Sequence, residues 1–207
     1  MIFEHDYILR LIAEMGEALR HMVEMADELD DRHELEVWAR KHYAMTLEAL
    51  QTQPTETIRQ MTDDRQCLAA SMVLSALAEH VPADEAAGLR LRAFRLLVTL
   101  KHEPEMTAAM ADTMYGLVRA CADDLTPEEL LDAAAFLREA GHYSHMDDTV
   151  FFLWETLTDA GKKEWRDRAL ALYRPLRSLR EEFLQEGGLS REDVADSCRQ
   201  LSEKASE

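Results

Sequence analysis

Apolar residues recur at helical spacing along almost the whole chain. Ile8, Ile12, Met15, Leu19, Met22, Ala26 and Leu29 step alternately by four and three, and Leu11, Val23 and Met25 widen the stripe. This seam predicts a helix from about His5 to Leu29. A second helix is predicted after the acidic turn Asp30-Asp31, running to about Leu50 with Leu35, Trp38, Ala39, Tyr43, Leu47 and Leu50 on its apolar side. Pro54 breaks the chain, and a short helical piece surrounds Ile58. Asp63, with Gln66 three residues on, caps a helix that carries Cys67, Ser71, Leu74, Ala78 and Val81 on one face. After Pro82, the positions Ala86, Leu89, Ala93, Leu96, Leu97 and Leu100 define a helix that stops before Pro104. Met106, Met110, Met114, Leu117 and Cys121 define the next.

The best-specified boundary lies in Leu125–Asp159. Thr126 is an N-cap, Pro127 occupies the first helical position where a missing N–H costs nothing, and Glu129 completes a capping box. Leu125 can staple onto Leu130 across the cap, and Leu130, Ala133, Ala134 and Leu137 form the apolar face. Gly141 supplies a left-handed stop. Ser144 with Asp147 is the predicted start of the following helix, whose apolar side is Met146, Val150, Leu153, Trp154 and Leu157. After Gly161 another seam begins: Trp165, Ala169, Leu172, Leu176, Leu179 and Phe183. Pro175 lies inside it and, at about 3 kcal/mol for an interior proline, predicts a kink or a break. Gly187-Gly188 ends the element. Ser190, with Asp193 three on and Leu189 facing Val194, starts a last helix before the tail SEKASE.

Short links between such helices make neighbours antiparallel. The fold class is all-α: antiparallel helical hairpins, about 8–9 helices, forming a helical repeat or bundle. One domain over residues 1–207 is expected, made of an N-terminal hairpin (1–50), repeat-like hairpins (63–158) and a C-terminal kinked helix with a capping helix (161–207). Successive pairs of about 35–40 residues are of solenoid size, although the pairs share little sequence.

Two resemblances bear on this. The order of small apolar face, Gly141, one residue, Tyr143 and apolar helix resembles a tetratricopeptide repeat, in which Gly or Asn ends the first helix and an aromatic residue two places on packs in the turn. Met146 stands where a small Ala is usual, and no Pro closes the unit at Thr158. The resemblance covers one repeat and implies a TPR-like hairpin near 126–158. The opening MIFEHDYILRLIAEM is similar to the start of a family of uncharacterised bacterial all-helical proteins. That likeness implies the fold class and carries over no activity and no site residue.

Composition narrows the partners. Of 207 residues 47% are hydrophobic, enough for a substantial core, and the net charge of −18 repels a phosphate backbone, so no nucleic-acid partner is expected. The acidic excess sits in residues 1–158, whereas 159–207 are near balance. Cys67, Cys121 and Cys198 are far apart and odd in number, as reduced thiols of a cytoplasmic protein are. The N-terminus lacks the progression of a signal peptide, and no apolar run approaches membrane-spanning length.

Chemical signals are sparse. HYSHMDD places His142, His145, Asp147 and Asp148 close together, with Glu139 three before His142. Histidines three apart with carboxylates are metal-ligand types, but polar turn residues and a helix cap account for the segment, so no metal site, cofactor or catalytic residue is assigned. His21, His33, His42, His80 and His102 are scattered. Between Lys162 and Arg180 seven cations (Lys162, Lys163, Arg166, Arg168, Arg174, Arg177 and Arg180) face only Glu164 and Asp167. Arg166, Arg174 and Arg177 would fall near one face of a straight helix and suit an acidic or phosphorylated partner. The competing account pairs them with the acidic body of the same chain. The leading functional reading is a non-enzymatic cytoplasmic scaffold that binds a protein or peptide. Its rivals are a small-molecule- or metal-binding enzyme with a site assembled from distant helices, and a homodimer joined through the first-helix seam.

Overall fold

The computed structural model describes residues 46–100 and 104–203. The predicted first-helix seam and its dimer role, most of the second helix, Asp30, His21, His33, His42, His102 and the last four residues lie outside them. Among the described residues there are ten α-helices, three short 3-10 turns and no strand, so the chain is all-α. They belong to two compact units, one comprising residues 1–100 with 119–121, the other 101–118 with 122–207.

In the first unit, α1 (Leu47–Thr52) and α2 (Thr55–Met61) precede the hairpin of α3 (Asp64–Leu77) and α4 (Ala83–Leu97). The predicted second helix does not run unbroken to Leu50. Thr46 is extended, and its hydroxyl accepts from Ala49 N–H at 3.0 Å, so it caps a new, short helix. Asp63 and Gln66 form the expected capping box. The hairpin buries Cys67, Leu68, Leu74, Ala93, Phe94 and Leu97, and Ser71 bridges it by donating to the Ala93 carbonyl at 2.8 Å. Arg92 of α4 donates to the Leu50 carbonyl at 2.8 and 3.1 Å and also to that of Gln53. A cation thereby meets carbonyls that the end of α1 leaves without helical partners.

The second unit holds most of α5 (Pro104–Cys121), then α6 (Pro127–Glu139), α7 (Tyr143–Thr156), α8 (Asp159–Tyr173), α9 (Glu181–Glu186) and α10 (Arg191–Glu203). Helices α6 and α7 pack as a hairpin, α8 lies against α6, and α10 lies against α8. The Thr126–Glu129 capping box and Pro127 start α6 as expected, with Leu125 and Leu130 both buried. Met146, Val150, Leu153 and Trp154 are buried from α7, and Ala169, Leu172 and Tyr173 from α8.

Pro175 breaks the seam as its missing donor requires. Helix α8 ends at Tyr173, a 3-10 turn spans Leu176–Ser178, and Leu179 and Arg180 are extended before α9. The break changes the helical phase downstream. Leu184 is fully buried, whereas Phe183, predicted on the seam, is 42% exposed. Arg191 at the start of α10 secures the break, donating to the Arg177 carbonyl at 3.0 Å and the Leu179 carbonyl at 2.6 Å. Ser190 and Asp193 cap α10 reciprocally, as expected.

The end of α9 abuts the α6–α7 turn. Ser144 N–H donates to the Gly187 carbonyl at 2.9 Å. A Cβ on Gly187 would overlap the Tyr143 ring and stand 2.5 Å from the Gly141 carbonyl oxygen. Gly187→Ala is therefore expected to destabilise the second unit by about 1–3 kcal/mol in denaturant unfolding. Gly88→Ala, at an exposed α4 position with nothing within 4 Å, is expected to stabilise the first unit by about 0.5–1 kcal/mol.

Candidate functional site

The turn between α6 and α7 gathers the strongest chemistry. Gly141 has φ +81°, its N–H donates to the Arg138 carbonyl at 3.0 Å, and the His142 N–H donates to the Leu137 carbonyl at 2.9 Å. Both bonds of a Schellman stop are present, and they deliver the chain straight into α7 with His142 as its N-cap. The predicted cap is Ser144 with Asp147. Ser144 instead lies inside the first turn, and its N–H donates to the Gly187 carbonyl.

His142 and His145 do come together, but their acidic companion is Asp112 of α5. One ligand atom from each of the three lies within 4.8 Å of the others, and His142 Nδ1 is 3.8 Å from Asp112 Oδ1. Tyr115, one turn along α5 from Asp112, stacks on the His145 ring at 3.9 Å between centroids and 5° between planes. Its hydroxyl donates to Asp148 Oδ2 at 2.9 Å. His145 Nδ1 is buried with no hydrogen-bond partner among the described residues; Trp154 Nε1 shares that condition. Asp148 therefore braces the aromatic beside the histidines rather than joining them, and Glu139 pairs with its neighbour Arg138. Asp112 was missed because its partners are about thirty residues away in sequence and no local spacing links them.

The basic segment is divided by the break. Arg166 lies in α8 and pairs with Asp167 at 3.2 Å, Arg174 is the C-cap of α8, and Arg177 lies in the 3-10 turn. Arg168 reaches Glu128 of α6 at 3.1 Å. Arg174 and Arg177 are exposed and make no ion pair with any described residue. Arg180 comes next, exposed, with its guanidinium 4.5 Å over the Phe183 ring.

Compared with known sequences, residues 2–206 match the profile of a family of unknown function, DUF6483. The chain belongs to that family. No curated protein sequence and no solved structure matches it. No helix among the described residues is long and apolar enough to cross a membrane.

This DUF6483 chain also holds a polar cluster around the half-buried Asp147, the residue expected to help start α7. Asp147 Oδ1 accepts from the Tyr173 hydroxyl of α8 and the Ser197 hydroxyl of α10, each at 2.7 Å. Tyr173 has no exposed surface. Burial pushes the Asp147 carboxyl above its ordinary value, and the two donated hydrogen bonds only partly offset this. Burial, and then the neighbouring carboxylate, likewise push the Tyr173 phenol up, so it remains a donor.

The resulting pH effect has a definite sign. A carboxyl whose pKa is higher folded than unfolded holds more proton in the folded state. Its contribution to stability is full below the ordinary carboxylate value and is lost as pH rises through the raised one. Asp147→Asn keeps an oxygen acceptor for both hydroxyls and is expected to flatten this fall, as read by urea midpoints across a pH series. Asp147→Ala strands the Tyr173 hydroxyl in the core and is expected to cost about 1–3 kcal/mol.

Proposed function

We propose that this protein is a non-enzymatic helical scaffold that holds an acidic segment of a partner protein or peptide along Arg174, Arg177, Arg180 and Phe183. The reading rests on one observation. In a chain of net charge −18, two exposed arginines three residues apart make no ion pair with any described residue, and an exposed aromatic ring lies within the same short segment. Exposed guanidinium groups offer forked donors to carboxylates, and an exposed aromatic adds apolar contact area beside them. Arg166 stands one element earlier and adds to the field, although Asp167 partly offsets it.

The architecture supports the same reading. Paired helices with short links, and the Gly141–Tyr143 turn with its tetratricopeptide-like order, make a rigid frame on which an irregular segment can be displayed. The three cysteines are buried thiols, none in a disulfide, which agrees with a cytoplasmic setting.

Fluorescence anisotropy with a labelled glutamate-rich peptide tests the proposal. Saturable binding that weakens with added salt is expected, and a neutral Gly/Ser peptide should show none. The double variant Arg174→Glu/Arg177→Glu should bind the acidic peptide at least about tenfold more weakly, a loss of about 1.4 kcal/mol. Both side chains are exposed, so the variant should retain its fold by circular dichroism. Binding equal to that of the unaltered chain would sink the reading.

A further inference from the structure

The geometry points to a second site: we propose that Asp112, His142 and His145 bind one divalent transition-metal ion of the borderline class represented by Zn(II). The donors are two imidazole nitrogens and one carboxylate, the set that suits zinc and its neighbours rather than calcium or magnesium, which take oxygen. They come from two places in the fold, α5 and the N-terminal end of α7, and already have ligand atoms within 4.8 Å of one another.

Bonds of about 2.0–2.2 Å to a common ion require the three donor atoms to draw closer than this. The side chains that must move are free to do so. The Asp112 side chain is 89% exposed, and that of His142 is 37% exposed and makes no capping bond. The third donor is held. Tyr115 lies flat on the His145 ring, and Asp148 fixes Tyr115 through its hydroxyl. A fixed ring plane beneath two adjustable donors is how a neighbouring shell orients a ligand.

The second observation is His145 Nδ1. Most buried polar side-chain atoms of folded proteins find a hydrogen-bond partner, and this one has none among the described protein groups. An ion held by His145 would engage one of its two ring nitrogens, of which Nδ1 has no protein partner among the described residues. Three protein donors leave a coordination position for water. The ion would tie α5 to the turn that starts α7, both within the second unit.

The test is a Zn(II) titration of the full chain, stripped with chelator and followed by native mass spectrometry, with Co(II) as a spectroscopic substitute. One ion per chain is expected, with visible Co(II) absorption typical of a four-coordinate N/O site. Asp112→Asn and His142→Ala should each lower Zn(II) affinity at least tenfold. Both positions permit substitution without loss of the fold, which circular dichroism checks. His80→Ala, in the α3–α4 link of the first unit, should bind as the unaltered chain does. Zinc that fails to bind at micromolar concentrations overturns the proposal, as does zinc retained with equal affinity by the double variant Asp112→Asn/His142→Ala.

Discussion

A carboxylate drawn part-way out of water is costly unless its lone pairs are matched by donors, and three helices of the second unit meet at one such group. Asp147 stands on α7, yet the donors that satisfy it come from α8 and α10. Each of these two helices must be docked against α7 for the oxygen to be matched. The apolar layer of Met146, Val150, Leu153, Trp154, Ala169 and Leu172 supplies the bulk of the burial. That layer is non-directional and would tolerate rotation of one helix against another. The shared oxygen does not, since both hydroxyls must reach a single point.

The same arrangement separates two kinds of polar residue within a few positions of one helix. Asp147 is spent on the core, Asp148 on Tyr115, and the histidines on either side of Ser144 face Asp112 and the Tyr115 ring. Helical rotation of about 100° per residue explains the division, because neighbours along α7 necessarily face different surroundings. A sequence cluster such as HYSHMDD is thus dispersed by the helix that contains it, and a new cluster forms from residues that are distant in sequence.

Local rules were legible in the chain wherever a few consecutive residues decide the outcome. The boxes at Asp63, Thr126 and Ser190, the stop at Gly141 and the break at Pro175 all depend on interactions spanning four or five residues, and all are present. The apolar faces of α3 to α7 were legible for the same reason, because periodicity is a property of the element alone. The features that escaped depend on distant partners. Ser144 is not the cap because the stop at Gly141 runs straight into α7, which already begins at Tyr143. Phe183 left the seam because the break at Pro175 changed its phase, so that Leu184 is buried instead. Asp112 carried no signal near the histidines at all.

The contact between Tyr143 and Gly187 has a consequence for how such a chain can vary over time. There is no space for even a methyl group at 187. A family member that gains a side chain at 187 must shift the end of α9 away from the turn, because the Gly141 carbonyl oxygen blocks that position even without the ring at 143. Drift at 187 is closed as long as the turn and the end of α9 keep their contact. The turn and the end of α9, more than forty residues apart, are in that sense inherited as a single feature.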